Sequence, residues 1–313
     1  MAANGAATPT ITPTGATLGA VVTDVALNDL DDAGWAAVEE AFLAHAVLIF
    51  PRQHLRREQQ AAFGARFGEF EDVGSATGVT PISNTDRDGR LRPVDDPVLG
   101  ILKGNEGWHT DSSYMRVSAK ASMLSAHVLP SRGGETEWAD MRAAYDALDE
   151  LEPGVRDRIA DLAAYHSISW SQRRIGLDRP DGAFYGFHDG PDPLRPLVKM
   201  HPATGRPALF IGRHAFGIPG LDPPESEALL DRLLDFAVQP PRVLTHHWEI
   251  GDLVVWDNRC VLHRVRPWDP GEPRVMKHTR IAGDPATESS LSRVADAPTL
   301  DRLSGVGLGT VET

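Results

Sequence analysis

The chain has 313 residues, 41% of them apolar, enough for one large domain with a sizeable core. A net charge of −13 argues against a nucleic-acid partner. The single cysteine, Cys260, excludes a disulfide framework and a cysteine-built zinc site within one chain, and it suits a reducing cytoplasm.

No apolar run reaches the length of a membrane span, so no membrane partner is expected. Residues 1–10 read as a tail, with neither the basic start nor the apolar centre of a signal peptide. Residues 12–25 form a short hairpin in pattern. Asp31 or Asp32 is placed to cap a helix carrying Trp35, Val38, Phe42 and Leu43 on one face. The apolar run 46–50 is a buried strand stopped by Pro51. A second amphipathic helix spans 57–67, with Phe63 and Phe67 one turn apart. Residues 72–104, rich in Gly, Asp and Pro, read as a long loop with one strand near 81–84, and Val79 to Asn84 as a lid.

Residues 121–129 alternate like a strand, and Gly133-Gly134 is a turn. Helices are predicted over 139–148 and 153–164, then a strand and loop over 165–174 and an insertion loop over 176–196. Strands at 197–200 and 208–211 flank a turn. A helix covers 224–238, and further strands cover 242–248, 252–256 and 275–282. Residues 285–313 carry little pattern and read as a second tail, which leaves 11–284 as the domain. Many short strands with turn residues between them suggest a sandwich or barrel with helices against it.

One stretch carries chemistry, Trp108-His109-Thr110-Asp111. Side chains two apart on an extended segment point the same way, so His109 and Asp111 can meet one metal ion. His263 is the candidate third ligand. Two His and one carboxylate, with three positions left open, is the arrangement of non-haem Fe(II) oxygenases. Arg274 suits a bidentate pair with a carboxylate, and the Thr136 hydroxyl can donate to the same group. His166 and His201 read as structural, and Cys260 as a small buried hydrophobe. The adjacent His246 and His247 point to opposite faces of a strand. Trp108 and Trp256 read as packing residues.

Together, Trp108-His109-Thr110-Asp111, Gly133-Gly134-x-Thr136-x-Trp138-x-x-Met141, Trp256-Asp257-Asn258-Arg259 with His263, and Arg274 resemble the taurine dioxygenase family of Fe(II)/2-oxoglutarate-dependent oxygenases. The resemblance implies a mainly β fold with flanking helices, built on a double-stranded β-helix (jelly-roll) core. It implies His109, Asp111 and His263 on Fe(II), and Arg274 with Thr136 on the distal carboxylate of 2-oxoglutarate. O2 is then the oxidant, and succinate and CO2 are released.

Within that family the chain is most similar to aryloxyalkanoate dioxygenases, which belong to herbicide degradation. The matching stretches are 11–20, 140–150, 211–215 and 273–280. The implied substrate is a small organic anion, and the implied reaction is ether cleavage to a phenol and a keto acid. Taurine, an alkylsulfonate, an alkyl sulfate or an amino-acid derivative are the alternatives, and a non-catalytic jelly-roll binding protein is a further one. Where taurine dioxygenases carry a sulfonate-binding Arg, this chain has His278. Asn105, Arg213, His214, His278 and Arg280 are the candidate substrate-binding residues. A homo-oligomer is expected.

Overall fold

The computed structural model describes residues 8–178, 184–188 and 190–291. Strands β1 (Thr10–Pro13) and β2 (Ala20–Thr23) pair antiparallel. Asp31 caps α1 (Asp32–His45), its side chain accepting from the Gly34 amide at 2.8 Å. The helix stops at Ala46, whose φ of 61° turns the chain into β3 (Val47–Phe50). Then come α2 (Arg57–Ala65), β4 (Thr80–Ser83), α3 (Pro97–Gly104), β5 (Ala121–Val128) and β6 (Thr136–Asp140). Three short helices follow, α4 (Met141–Asp146), α5 (Leu148–Leu151) and α6 (Val155–Ile159). After them are β7 (Ala163–His166), α7 (Ile168–Arg173), β8 (Leu194–Pro196), β9 (Val198–Met200), β10 (Pro207–Leu209) and β11 (Ala215–Phe216). Asp222 caps α8 (Pro223–Ala237). The last elements are β12 (Val243–His246), β13 (Leu253–Asp257), β14 (Val261–Val265), β15 (Val275–Ile281) and α9 (Pro285–Glu288).

The strands form a jelly roll. A seven-stranded sheet in the order β1-β2-β3-β13-β5-β15-β4 faces a three-stranded sheet in the order β12-β6-β14. Strands β3 and β13 are buried along their whole length because both faces of the large sheet are covered. Val47, Ile49, Val254 and Trp256 point to the core between the sheets, where Trp138 of β6 meets Trp256 at 5.8 Å between ring centroids. Leu48, Phe50, Leu253 and Val255 point the other way, onto α1 and α2. There Trp35, Phe42, Phe63 and Phe67 pack edge to face. Among the described residues, no helix is long and apolar enough to cross a membrane.

Several expectations need correction. Residues 80–83 are an edge strand hydrogen-bonded to β15, not a lid, and Asn84 is buried. The long loop holds a helix, α3, started by Asp96 and Pro97. The helix expected from residue 139 starts at Met141, because Thr136–Asp140 pairs on both edges as the centre of the small sheet. The helix expected over 153–164 ends at Ile159, and residues 168–173 are helical rather than strand and loop. Pro285–Glu288 is helical and Glu288 is buried at 1% exposure, where a tail was expected to begin. Residues 1–7 and 292–313, parts of the two expected tails, lie outside the described residues.

Candidate active site

The site lies at one end of the space between the sheets. His109 and His263 form a two-residue antiparallel bridge, so strand β14 carries one histidine and the segment ahead of β5 brings the other opposite it. The two rings stand 4.1 Å apart between centroids. Asp111 follows His109 and is buried beside them, with its Oδ2 3.9 Å from His263 Nε2. The candidate donor atoms of His109, Asp111 and His263 all lie within 4.8 Å of one another.

The protonation states suit a divalent metal. Burial pushes the His109 imidazole down to about 4 and His263 well below its usual range, so both are neutral at pH 7. His109 Nδ1 sits 2.8 Å from the Gly107 carbonyl, so it carries the proton and leaves Nε2 as a lone-pair donor. His263 Nδ1 is buried without a partner, and its Nε2 faces Asp111. Burial works to raise the Asp111 carboxyl, but the Arg280 guanidinium and the neighbouring histidines bring it well below the usual carboxylate range. Two neutral nitrogens and one carboxylate oxygen are the donor set of an open-sided divalent-metal site.

A single cavity joins these groups to Thr136, Arg274, Asn105, Arg213 and His214. Arg274 is buried and stacks over Trp268 at 5.2 Å. Its Nε and Nη2 both donate to the Gly134 carbonyl, at 3.3 and 3.0 Å. Among the described residues, no carboxylate comes within ion-pair distance of it, and burial lowers its pKa to about 10. Asn84 fixes its backbone by accepting from the Arg274 amide at 2.8 Å. The Thr136 hydroxyl accepts from Trp248 Nε1 at 3.0 Å, which leaves its own proton to donate. A buried cation that meets no carboxylate among the described residues, beside a free hydroxyl donor, has the chemistry to accept one.

The candidate substrate residues divide into two groups. Among the described residues Arg213 donates to neutral oxygens only, Ser171 O at 3.0 Å and Gln172 Oε1 at 2.6 Å, and burial lowers it to about 10. His214 lies beside it, buried, with its ring edge-on to His109 and Tyr114. Ser171 Oγ donates its one proton to Ile168 O, so His214 Nδ1, 2.8 Å away, must be the donor to Ser171. In contrast, His278 and Arg280 face Asp111. His278 Nε2 is 3.4 Å from Asp111 Oδ2, and Arg280 Nη2 is 2.9 Å from Oδ1. Arg280 also lies over the Tyr185 ring and near Glu71. Asn105 caps α3 with its backbone and lines the cavity.

Away from the cavity, His201 donates to Asp257, which Arg259 also grips with two nitrogens, so the His201, Asp257 and Cys260 cluster is a closed structural network. His246 pairs with Asp252. The sequence reading missed Ser122, Glu71, Tyr114 and Tyr185, which have no motif and reach the site only through pairing and loop closure.

A jelly roll holding two neutral His and a carboxylate, with a buried Arg that meets no carboxylate among the described residues across the same cavity, is the architecture of a metal- and 2-oxo-acid-dependent oxygenase. The family profile described as Taurine catabolism dioxygenase TauD, TfdA family matches residues 10–280. The chain belongs to that family, and it is a 2-oxoglutarate-dependent dioxygenase. It is 56% identical to an (S)-phenoxypropionate/alpha-ketoglutarate-dioxygenase of Sphingobium herbicidovorans, over 90% of this chain and 98% of that protein. It is 38% identical to an alpha-ketoglutarate-dependent 2,4-dichlorophenoxyacetate dioxygenase of a Burkholderia species, over 79% of this chain and 84% of that one. Among solved structures, AAD-2 in complex with Mn(II) and N-oxalylglycine superposes with a TM-score of 0.82 at 36% identity, covering 92% of this chain and all of that one. The aryloxyalkanoate resemblance read from the motifs is thus borne out.

Proposed function

We propose that this protein uses Fe(II), 2-oxoglutarate and O2 to cleave the ether bond of an aryloxyalkanoate, with preference for an (S)-2-phenoxypropanoate. The observation that carries the reading is the charge pattern of the cavity. Four arginines line it, and acids answer two of them, Glu137 for Arg264 and Asp111 for Arg280. Arg274 and Arg213 have no acidic partner among the described residues, and the reactants bring two carboxylates that stand away from the metal, the distal one of 2-oxoglutarate and that of the substrate.

His109, Asp111 and His263 would hold the iron, which, once bound, supplies oxidative decarboxylation of 2-oxoglutarate and hydroxylation of a substrate carbon. Arg274 and Thr136 receive the distal carboxylate of 2-oxoglutarate. Arg213 receives the carboxylate of the substrate, His214 packs beside it with its one N–H spent on Ser171, and Ile82, Ile168 and Phe184 supply an apolar wall for the substrate ring. Fixing both ends sets which hydrogen faces the oxidant, so the enantiomers differ in rate. Hydroxylation at the carbon bearing the ether oxygen gives a hemiketal, whose hydroxyl proton passes to the departing aryloxide. The products are a phenol and a keto acid. One cysteine in the whole chain supports a reducing, cytoplasmic setting.

The test incubates enzyme, Fe(II) and 2-oxoglutarate with each enantiomer of a chlorophenoxypropanoate, and measures phenol and succinate together. Stoichiometric phenol and succinate, faster from the S form, are expected. No phenol from either, with brisk succinate formation from taurine or an alkyl sulfate, would overturn the substrate assignment.

A further inference from the structure

Asp111 is the one charged side chain of the candidate metal site, and neither of its oxygens is left to chance. Oδ1 accepts from Arg280 Nη2 at 2.9 Å, and Oδ2 accepts from Ser122 Oγ at 2.6 Å. Ser122 on β5 and Arg280 on β15 are direct cross-strand partners in the large sheet. Residues opposite each other on paired strands project to the same face. The sheet register therefore delivers both donors to one carboxylate.

The direction of the Ser122 bond is fixed by a chain of three more groups. An indole nitrogen donates and never accepts. Trp256 Nε1 is 3.0 Å from Asn258 Oδ1, which settles the amide orientation of Asn258. The Asp111 backbone amide, 3.3 Å from the same oxygen, agrees. The Asn258 Nδ2 must then face Ser122, and it donates to Ser122 Oγ at 2.8 Å. A hydroxyl that accepts there has its single proton free for Asp111. Trp256, Asn258, Ser122 and Asp111 are all buried, so no bulk water competes within this relay.

We propose that Ser122, oriented by Asn258 and Trp256, and Arg280 are positioning residues that hold Asp111 as a one-oxygen ligand. The inference rests on the metal reading above, adds Ser122, to which no motif points, and gives Asn258 and Arg280 a role beside Asp111. With Oδ1 tied by the guanidinium and Oδ2 sharing one lone pair with the Ser122 hydroxyl, the carboxylate cannot swing to chelate a metal with both oxygens. That keeps the remaining coordination positions for 2-oxoglutarate and O2. Outer partners of this kind fix the geometry and the basicity of a ligand.

The test titrates Co(II) into metal-free protein and follows binding by visible absorption, in wild type, Ser122→Ala and Arg280→Lys. Ser122→Ala removes one buried oxygen, and a matched metal-free melting temperature checks its fold. Its dissociation constant for Co(II) is expected to rise about 10- to 100-fold. Because Arg280 still ties Oδ1 in this variant, the carboxylate stays a one-oxygen ligand, and the affinity of the cobalt-loaded protein for 2-oxoglutarate, anchored from the far end by Arg274, is expected to hold. A damaged cavity would weaken both ligands together, and that result would overturn the proposal. So would Co(II) affinity within about threefold of wild type in a folded Ser122→Ala protein, well short of what loss of an outer partner costs.

Arg280→Lys keeps the charge and loses the forked donor. A weaker Co(II) affinity supports its role, and an unchanged one overturns that part of the assignment. If Arg280→Lys does not fold, Ser122→Ala decides alone. Failure here alongside normal substrate-dependent succinate formation leaves the proposed function standing. Wild-type protein that neither binds Co(II) nor forms succinate overturns that function instead.

Discussion

His109 and His263 exchange both backbone hydrogen bonds: His109 N donates to His263 O at 3.0 Å, and His263 N donates to His109 O at 2.7 Å. The two side chains therefore share a site because their main chains are paired, 154 residues apart in sequence (263 − 109). The bridge does not depend on the imidazoles. His263→Ala should keep the fold and lose metal binding, together with all substrate-dependent succinate. Near-wild-type turnover in His263→Ala would remove the triad.

Arg274 should govern the affinity for 2-oxoglutarate. Its two side-chain bonds go to one neutral carbonyl, and its guanidinium lies over the Trp268 ring, so it is held in place without meeting a carboxylate among the described residues. Removing one partner of a buried charge-assisted pair costs on the order of 3–5 kcal/mol. Arg274→Ala should raise the Michaelis constant for 2-oxoglutarate by about two orders of magnitude or more, and Thr136→Val more mildly. Steady-state kinetics with varied 2-oxoglutarate decide it. A change confined to the organic substrate would be the contrary outcome.

The ligands and the 2-oxoglutarate anchor were legible because their spacing survives in one dimension: His109 and Asp111 are two apart, and Arg274 opens the strand after His263. The support around them was not. Ser122 is one serine in an alternating strand until β5 and β15 are paired, and then it stands opposite Arg280. Arg280 looked free for a substrate, but the same pairing turns it onto Asp111. Strand β6 was hidden because Ala139 to Leu148 also fits a helical period, and only pairing with β12 and β14 ends the strand at Asp140. For α3 the signal existed, an Asp before a Pro at a helix start, but it lay in a stretch whose composition reads as loop.

The segment after β15 should matter for stability. Glu288 pairs with the buried Lys199 and accepts from Ser118 Oγ at 3.1 Å, while its carbonyl accepts from Arg195 Nη1 at 2.7 Å. Ending the chain at residue 284 would leave Lys199 buried without its acid. A loss on the order of 3–5 kcal/mol follows for Glu288→Ala. Urea unfolding of Glu288→Ala should show it as a lower midpoint. A midpoint equal to wild type would mean that Lys199 reaches water without this partner.

His166 offers a pH-dependent test outside the active site. It is fully buried on β7, and neither ring nitrogen has a hydrogen-bond partner. Burial, helped by the nearby Arg195 charge, lowers its pKa from 6.5 to about 3. The native protein thus keeps His166 neutral where the unfolded chain protonates it. Below the unfolded value the unfolded state binds the extra proton, so acid favours unfolding, by roughly 1.4 kcal/mol per pH unit for one such group. The neutral ring also leaves a donor and an acceptor unmet, at about 1–3 kcal/mol each. His166→Leu removes both costs. The variant should be more stable than wild type at pH 7.5, and its advantage should widen at pH 5. The other buried histidines titrate alike in both proteins, so the difference isolates this residue. Metal-free samples, unfolded in urea at the two pH values, give the measurement. An advantage that stays constant or shrinks on acidification would show that His166 is not held neutral in the native state.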